Sequence, residues 1–208
     1  MIQIQNDLNQ ALLANGFVLA PAVNERLFAY LILLEKWNKV FNLTAIRDMA
    51  EMVPLHILDS LVITPYLSGQ RIIDVGTGAG LPGIPLALTQ PDKEFFLLDS
   101  NGKKTRFLNQ VKLELGIKNI EIITARAEDF NAPAPFDSIV SRAFSSIPVM
   151  LAMTNHLVAP DGQFVAMKGT YPQDEIAQIP ADFRVLDVHK LSIKGLSAER
   201  HVVCIKRL

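Results

Sequence analysis

A single cysteine, Cys204, stands in a chain of 208 residues, which excludes an internal disulfide and a multi-cysteine zinc site. The four histidines (His56, His156, His189, His201) lack metal-ligand spacing, so no metal is expected. No basic residue precedes Arg26, leaving the N-terminus without the charged start of a secretory or mitochondrial signal. The longest apolar stretch, residues 27–34, is far short of the roughly 20 residues that cross a bilayer. A cytoplasmic protein without membrane segments is the expectation. An excess of one charge sign is also missing. The 20 Lys and Arg meet 21 Asp and Glu, a net charge of −1, which argues against a protein that merely coats a polyanion.

What is present can build a core. Hydrophobic residues make up 50% of the chain and charged ones 20%, so large-scale disorder is excluded. At roughly 100–200 residues per domain, the length fits one sizeable domain with a small appendage. Residues 1–67 read as a helical extension, with Leu27, Leu31, Leu34, Trp37 or Asn38, and Phe41 recurring on one helical face. Pro54 is expected to open a second helical run through Leu55, Leu58, Leu61 and Val62, and Pro65 to close it.

Residues 68–208 read as one compact unit in which short apolar runs (71–75, 94–99, 120–124, 136–141, 164–168) alternate with helical patterns (84–89, 103–115, 147–156). That alternation predicts a Rossmann-like α/β fold with a mostly parallel sheet covered on both faces. Gly116 sits where a helix C-cap is wanted. Two further runs, 184–191 and 201–206, predict a hairpin at the sheet edge.

The densest local signal is Asp74-Val75-Gly76-Thr77-Gly78-Ala79-Gly80-Leu81-Pro82-Gly83, directly after the first strand. Glycine lets the backbone turn sharply and a ligand approach closely, and the helix that follows aims its first amides at the turn. The spacing alone is ambiguous. Gly78-x-Gly80-x-x-Gly83 fits a dinucleotide fingerprint, whereas Gly76-x-Gly78-x-Gly80 after an acid fits an S-adenosylmethionine site. Register favours the second, because a dinucleotide pattern counted from Gly76 at the strand end would require glycine where Leu81 stands. Asp74 suits the amino-acid portion of S-adenosylmethionine, directly or through water, and would repel a pyrophosphate. Gly78→Asp is expected to fill the turn and abolish cofactor binding. Asp99 closes the second strand, where a carboxylate accepts ribose hydroxyls in both cofactor classes.

Other strand ends fall on the same edge, where open α/β sheets bind ligands. Ala127-Glu128-Asp129 follows the third strand, with Glu128 placed for an adenine amino group or a local turn. Arg142 ends the fourth strand and Lys168 the fifth, two cations at one crevice. Lys103, Lys104 and Arg106 begin a helix, opposing its macrodipole by a few tenths of a kcal/mol each. A partner phosphate would offset that cost, though an ordinary solvated face explains them equally. Residues 181–208 carry six basic residues against three acidic ones, a weak pointer to an anionic partner.

Familiar catalytic machinery is missing. No Walker lysine follows the glycines, no Gly-x-Ser-x-Gly elbow occurs, and Cys204 reads as a buried structural thiol. The Asn/Asp-Pro-Pro-aromatic signature of many exocyclic-amine methyltransferases is also absent. An acceptor that is already nucleophilic needs none of these. Guanine N7 carries a free lone pair on the major-groove edge, so no base has to remove a proton before attack. A sulfonium releases a neutral thioether, so no acid is needed either. Alignment and water exclusion then suffice, with arginine or lysine near O6 orienting the base.

The chain resembles a known family in Trp37-Asn38-Lys39-x-Phe41-Asn42-Leu43-Thr44, His56-Ile57-Leu58-Asp59-Ser60, the segment 74–85 and Leu97-Leu98-Asp99-Ser100. Ser141-Arg142-Ala143-Phe144, Lys168-Gly169 and Glu199-Arg200-His201 extend the match from about residue 25 to the C-terminus. The family is the bacterial small-subunit ribosomal RNA guanine-N7 methyltransferase G family, also called glucose-inhibited division protein B. The resemblance implies a class I S-adenosylmethionine-dependent methyltransferase domain at 68–208 behind the helical extension, acting on N7 of one guanine in 16S ribosomal RNA or the small ribosomal subunit. It implies cofactor contacts at Gly76, Leu81, Ala127, Glu128 and Arg142, with Asp99 at the ribose. Together with the glycine-turn reading, this makes Asp74, Gly76, Gly78, Gly80, Leu81, Asp99, Ala127, Glu128 and Arg142 the expected cofactor site. Arg142 and Lys168 are the expected catalytic pair, and Lys103, Lys104, Arg126, Lys168 and Arg200 the expected RNA-facing cations. A monomer is expected.

Two other readings compete. A nicotinamide-dependent oxidoreductase would share the glycine turn and Asp99 but needs a substrate domain or proton relay. An RNA-binding or regulatory module that has kept a nucleotide pocket would bind cofactor without transferring methyl groups.

Overall fold

The computed structural model describes residues 2–143 and 145–208. At its centre lies β1 (Arg71–Val75), whose run Ile72 to Val75 is buried on both faces. It pairs in parallel with β2 (Glu94–Asp99) on one side and β4 (Phe136–Arg142) on the other. β3 (Ile120–Thr124) extends the sheet beyond β2, and β5 (Val158–Lys168) beyond β4, again in parallel. β6 (Phe183–Leu191) and β7 (Arg200–Arg207) form the antiparallel hairpin, with β7 against β5 and β6 at the edge. The order is β3-β2-β1-β4-β5-β7-β6. Chain direction across the sheet reverses between β1 and β4, which opens a crevice beyond their carboxyl ends.

The period of two along each strand sorts the side chains into two cores. Ile72, Leu97, Val140, Val165 and Val202 face one layer, and Ile73, Leu98, Ile139, Phe164 and Val203 face the other. The first layer contains α1 (Ile2–Ala14), α2 (Pro21–Phe41), α3 (Met49–Met52), α4 (Asp59–Leu61), α5 (Gly83–Thr89) and α6 (Gly102–Glu114). The second is covered by α7 (Ile147–Thr154) and the short α8 (Gln173–Ala177). Leu8, Leu31 and Leu34 of the N-terminal helices share one continuous core with Leu108 of α6 and Val202 of β7. Among the described residues no helix is long and apolar enough to cross a membrane.

Three expectations need correction. Pro54 does not open the second helical run. Asp48 caps that run at the Ala50 amide (2.9 Å), and Pro54 lies inside it, in the π-helical stretch Val53–Leu58 between α3 and α4. A widened turn tolerates a residue with no N–H, so proline there does not act as a start signal. Pro65 follows the end of α4 by several residues and sits in a separate 3₁₀ turn, Thr64–Tyr66. β5 also begins well before the apolar run 164–168. Pro160-Asp161-Gly162 reads as a turn, but a register shift against β4 between Phe136 and Ser138 absorbs it.

The N-terminal helices pack on the strand-end loops as well as on the sheet. The wholly buried Tyr30 of α2 donates its hydroxyl to the Ala79 carbonyl at 2.8 Å, inside the glycine turn. Burial holds this phenol far above its ordinary pKa, so it remains a donor. Trp37 packs on Phe107 of α6 with ring centroids 5.6 Å apart, and Arg26 donates to the Leu115 carbonyl at the end of α6. Tyr30→Phe leaves the Ala79 carbonyl buried and unpaired, and is expected to destabilise the fold by about 1–3 kcal/mol. Denaturant unfolding followed by circular dichroism measures this, and a change below about 0.5 kcal/mol would refute the anchor.

Candidate active site

Asp74 organises the turn after β1. It is 1% exposed, and its Oδ2 accepts the Thr77 hydroxyl at 2.6 Å and the Gly83 amide at 2.8 Å. Positive φ at Gly76 leads the chain into the turn, and between those two donors it passes through positive φ at Gly78 and Gly80. Gly83 is where space runs out. A Cβ there would lie 2.1 Å from Leu97 Cδ2 and 2.8 Å from Asp74 Oδ2, so α5 approaches β2 this closely only with glycine. Gly78 is different. Its φ of +61° is costly for other residues, but a Cβ meets nothing nearer than 3.9 Å, the neighbours being the Gly76 carbonyl and Lys104 Nζ. Gly78→Asp would therefore act through backbone strain and charge in the cleft, and not by filling the turn.

The other oxygen of Asp74, Oδ1, is buried with no hydrogen-bond partner among the described residues. Burial pushes the Asp74 pKa up to about 6. The bonds from Thr77 and Gly83 and the nearby Arg142 act against that rise. A buried acceptor left open beside a glycine turn fits a cationic or donating ligand group.

Asp99, at the end of β2, faces the same turn. Its Oδ2 accepts the Gly78 amide at 3.0 Å and pairs with Lys104 Nζ at 3.3 Å, while Oδ1 accepts the Asn101 amide at 2.8 Å. Asp99 and Lys104 line a cleft of about 250 Å³ together with Gly76, Arg126, Ala127 and Glu128. Ala127 is buried in the floor, whereas Arg126 and Glu128 flank it at 3.8 Å from each other. Leu81 is buried and lines the adjoining cleft over the glycine turn, with Thr44, Lys104, Arg142 and Ala143. Of the residues expected to hold a cofactor, Gly76, Asp99, Ala127 and Glu128 line the first cleft and Gly76, Gly78, Leu81 and Arg142 the adjoining one, whereas Asp74 and Gly80 line neither.

A second cavity, about 430 Å³, opens on the other side of Arg142 and Ala143 and is lined by His56, Asp59, Lys168 and Arg200. Ala143 borders all three depressions and has a φ of +52°, uncommon for a residue with a side chain. Arg142 donates Nη1 to the Leu55 carbonyl and to Asp59 Oδ2, both at 3.0 Å. Arg200 donates Nε to Asp59 Oδ1 at 2.8 Å. Burial, with Arg142 adding to it, lowers the His56 pKa to about 4, so the ring is neutral at neutral pH. Its Nε2 lies 3.0 Å from the Thr44 hydroxyl.

The five expected RNA-facing cations have different surroundings in the structure. Lys103 and Arg126 are exposed, as a surface contact requires. Lys104, Lys168 and Arg200 instead turn toward carboxylates. Lys104 pairs with Asp99 in the first cleft, and Arg200 with Asp59. Lys168 pairs with Glu175 at 2.7 Å and donates to the Ser145 carbonyl at 2.9 Å. Lys168 is therefore not the free cation its strand-end position suggests. The Glu175 carboxylate also accepts the Ile147 amide at 2.6 Å, which ties α8 to the start of α7. Phe144, the last residue of the Ser141-Arg142-Ala143-Phe144 motif, lies outside the described residues.

Four functional neighbours escaped the sequence reading: Tyr30, Thr44, Asp59 and Glu175. A usable signal existed for two of them, because Thr44 and Asp59 belong to the Asn38-to-Thr44 and His56-to-Ser60 motifs. Asn38 supplies the link. Its amide accepts the Thr44 N–H at 2.9 Å and donates to the Ile46 carbonyl at 3.0 Å, folding the 42–48 loop over the cleft.

Comparison with known proteins bears on the family and the fold. The family model described as GidB, rRNA small subunit methyltransferase G, matches residues 23–203. Ribosomal RNA small subunit methyltransferase G of Escherichia fergusonii is 50% identical over 201 residues, covering 97% of both chains. The protein of the same name from Pseudomonas syringae pv. syringae is 49% identical over 192 residues, covering 92% of this chain and 90% of that one. Among solved structures, the glycopeptide N-methyltransferase MtfA in complex with S-adenosyl-L-methionine superposes with a TM-score of 0.63 at 8% identity, over 74% of this chain and 87% of that one. Ribosomal protein L11 methylase from Lactobacillus delbrueckii subsp. bulgaricus gives a TM-score of 0.54 at 17% identity, over 72% and 76%. These two likenesses concern the fold, that of class I methyltransferases. By sequence and architecture together, the chain belongs to the rRNA small subunit methyltransferase G family.

Proposed function

We propose that this chain transfers the methyl group of S-adenosylmethionine to N7 of one guanine in 16S ribosomal RNA, free or within the small subunit. The observation that carries the reading is the meeting of the cofactor cleft and the second cavity at Arg142 and Ala143. Such a junction is where a methyl donor and a base would face each other. The same reading assigns the enzyme to the bacterial cytoplasm, acting as a monomer without a metal.

Bound S-adenosylmethionine supplies an electrophilic methyl carbon on a sulfonium whose thioether leaves neutral. The rest is positioning by this chain. Asp99 takes the ribose hydroxyls in exchange for its contacts with Lys104 and the Gly78 amide. Ala127 and Glu128 border the adenine. Gly76, Gly78, Gly80 and Leu81 shape the bed of the methionine portion, and Asp74 Oδ1 accepts from its ammonium group. Arg142 orients the base through O6, with Lys168 on the far wall of the same cavity. Lys103 and Arg126 hold phosphates at the rim. Burial keeps His56 neutral, and an N7 acceptor requires no proton transfer from it.

The direct test supplies labelled S-adenosylmethionine with deproteinised 16S RNA or with small subunits, followed by nucleoside mass spectrometry and strand scission at 7-methylguanosine. One modified guanosine is expected. No incorporation into either substrate at saturating cofactor would leave a binding module, and binding of NADH in place of S-adenosylmethionine would point to the oxidoreductase.

Asp74 adds a test in the free protein. Its pKa is raised from 3.8 to about 6, so the native state holds this proton more tightly than the unfolded chain. The Asp74 contribution to stability must therefore fall as pH rises from about 4 to about 6, and its full cost persists above that window. Asp74→Asn is expected to make the free protein more stable at pH 7.5, flatten the pH dependence of its melting, and weaken adenosylhomocysteine binding by about tenfold, or roughly 1.4 kcal/mol. Thermal melts across pH and calorimetry read both effects. Unchanged affinity would remove Asp74 from the cofactor site.

A further inference from the structure

Resting on that reading, we infer that Asp59 is a positioning residue for methyl transfer, one that acts by aiming Arg142 and Arg200 into the substrate cavity. Asp59 is 3% exposed and lies on α4, outside the sheet that carries both arginines. Its two oxygens serve different guanidiniums: Oδ2 accepts Arg142 Nη1 at 3.0 Å, and Oδ1 accepts Arg200 Nε at 2.8 Å. Arg142 comes from the end of β4 and Arg200 from the start of β7, which are separated in the sheet by β5. The carboxylate is thus a cross-brace between two strand ends that do not pair with each other. All three side chains line the same cavity, and both arginines are only 21% exposed.

The physical case rests on charge and reach. Two guanidiniums within hydrogen-bond distance of one small group repel each other, and in a half-buried setting that repulsion is weakly screened. With Asp59 between them the trio carries a single net positive charge, and each arginine is held in one orientation. Backbone carbonyls of Leu55 and Glu199 complete the clamp, one on each guanidinium. A guanidinium has five N–H donors, so these contacts leave donors for a base. Arg142 also borders the cleft over the glycine turn. A tilt of its guanidinium shifts the acceptor relative to the methyl group without disturbing Asp99 or the adenine end. Misplacement by about 1 Å costs up to about 100-fold in rate.

The test uses the full chain with small subunits and 16S RNA, and compares Asp59→Asn and Asp59→Glu with the parent. Asp59→Asn keeps the shape but removes the charge that holds two cations. It is expected to lower kcat by about 30- to 100-fold, with KM for RNA and the adenosylhomocysteine Kd each within about threefold of the parent. Asp59→Glu keeps the charge and the fold but moves the oxygens by one methylene, and is expected to lower kcat by about three- to tenfold with the melting temperature unchanged. A purely scaffolding role would instead lower stability and cofactor affinity together and spare kcat in the folded fraction. If Asp59→Asn does not fold, Asp59→Glu alone decides. The inference is overturned if the folded variants keep kcat within about twofold of the parent, or if cofactor affinity falls by the same factor as kcat. Absence of methyl transfer by the parent chain would instead overturn the proposed function itself.

Discussion

A buried carboxylate with two loop donors on one oxygen shapes everything at this end of the sheet. Asp74 Oδ2 closes the turn by taking the Thr77 hydroxyl and the Gly83 amide together, and only a chain without a side chain at residue 83 can come close enough. The consequences spread outward. α5 is pressed onto β2, the Gly78 amide is brought to Asp99, and the Ala79 carbonyl is presented to Tyr30 of α2. The same burial makes the ionised form of Asp74 costly, as its raised pKa records. Leaving Oδ1 without a partner adds to that cost, which no contact within the turn recovers. Strain of this kind is retained where a ligand supplies the missing interaction.

The N-terminal helices form part of this apparatus. Tyr30 reaches the glycine turn, Asn38 folds the 42–48 loop, and the Thr44 hydroxyl meets His56 on the next helical segment. That segment widens to a π-helical turn between Met52 and Asp59. The wider turn presents the Leu55 carbonyl and the Asp59 carboxylate to the arginines at the strand ends. π-Helical turns recur at functional sites because they re-aim side chains that a regular helix would place elsewhere. The extension therefore supplies one wall of the cavity beside Arg142, while the sheet supplies the other.

How far all this can be read from sequence depends on the range of the interaction concerned. β1, β2 and β3 are legible to the residue because buried parallel strands are short, continuous apolar runs bounded by turns. The glycine turn is legible because positive φ and close approach both write themselves as glycine. β5 is only half legible, since its first part crosses Pro160-Asp161-Gly162 and is held by pairing with β4. Side-chain partners over long separations leave no local mark. Nothing near Arg200 announces Asp59, 141 residues away, and nothing near Lys168 distinguishes a free ammonium from one held by Glu175. Charge position could be inferred from strand ends. Charge state in context could not. The family motifs captured Asp59 and Thr44 as letters in a pattern without disclosing what those residues hold.

The pairing of cations with acids also bears on the chemistry. Methyl transfer from a sulfonium to guanine N7 moves a positive charge from sulfur to the purine, so donor and product are both cationic. A bare arginine beside that path would orient the base but oppose the charge at both ends of the reaction, at a strength set by the low local dielectric. Sharing Asp59 between Arg142 and Arg200 lets both guanidiniums keep their directional donors while the field of the trio on the transfer path is reduced to that of one positive charge. Lys104 with Asp99, and Lys168 with Glu175, follow the same arrangement at the two flanks. Directional hydrogen bonding with a reduced net field suits an acceptor that needs no base and must only be held in line, with water kept out.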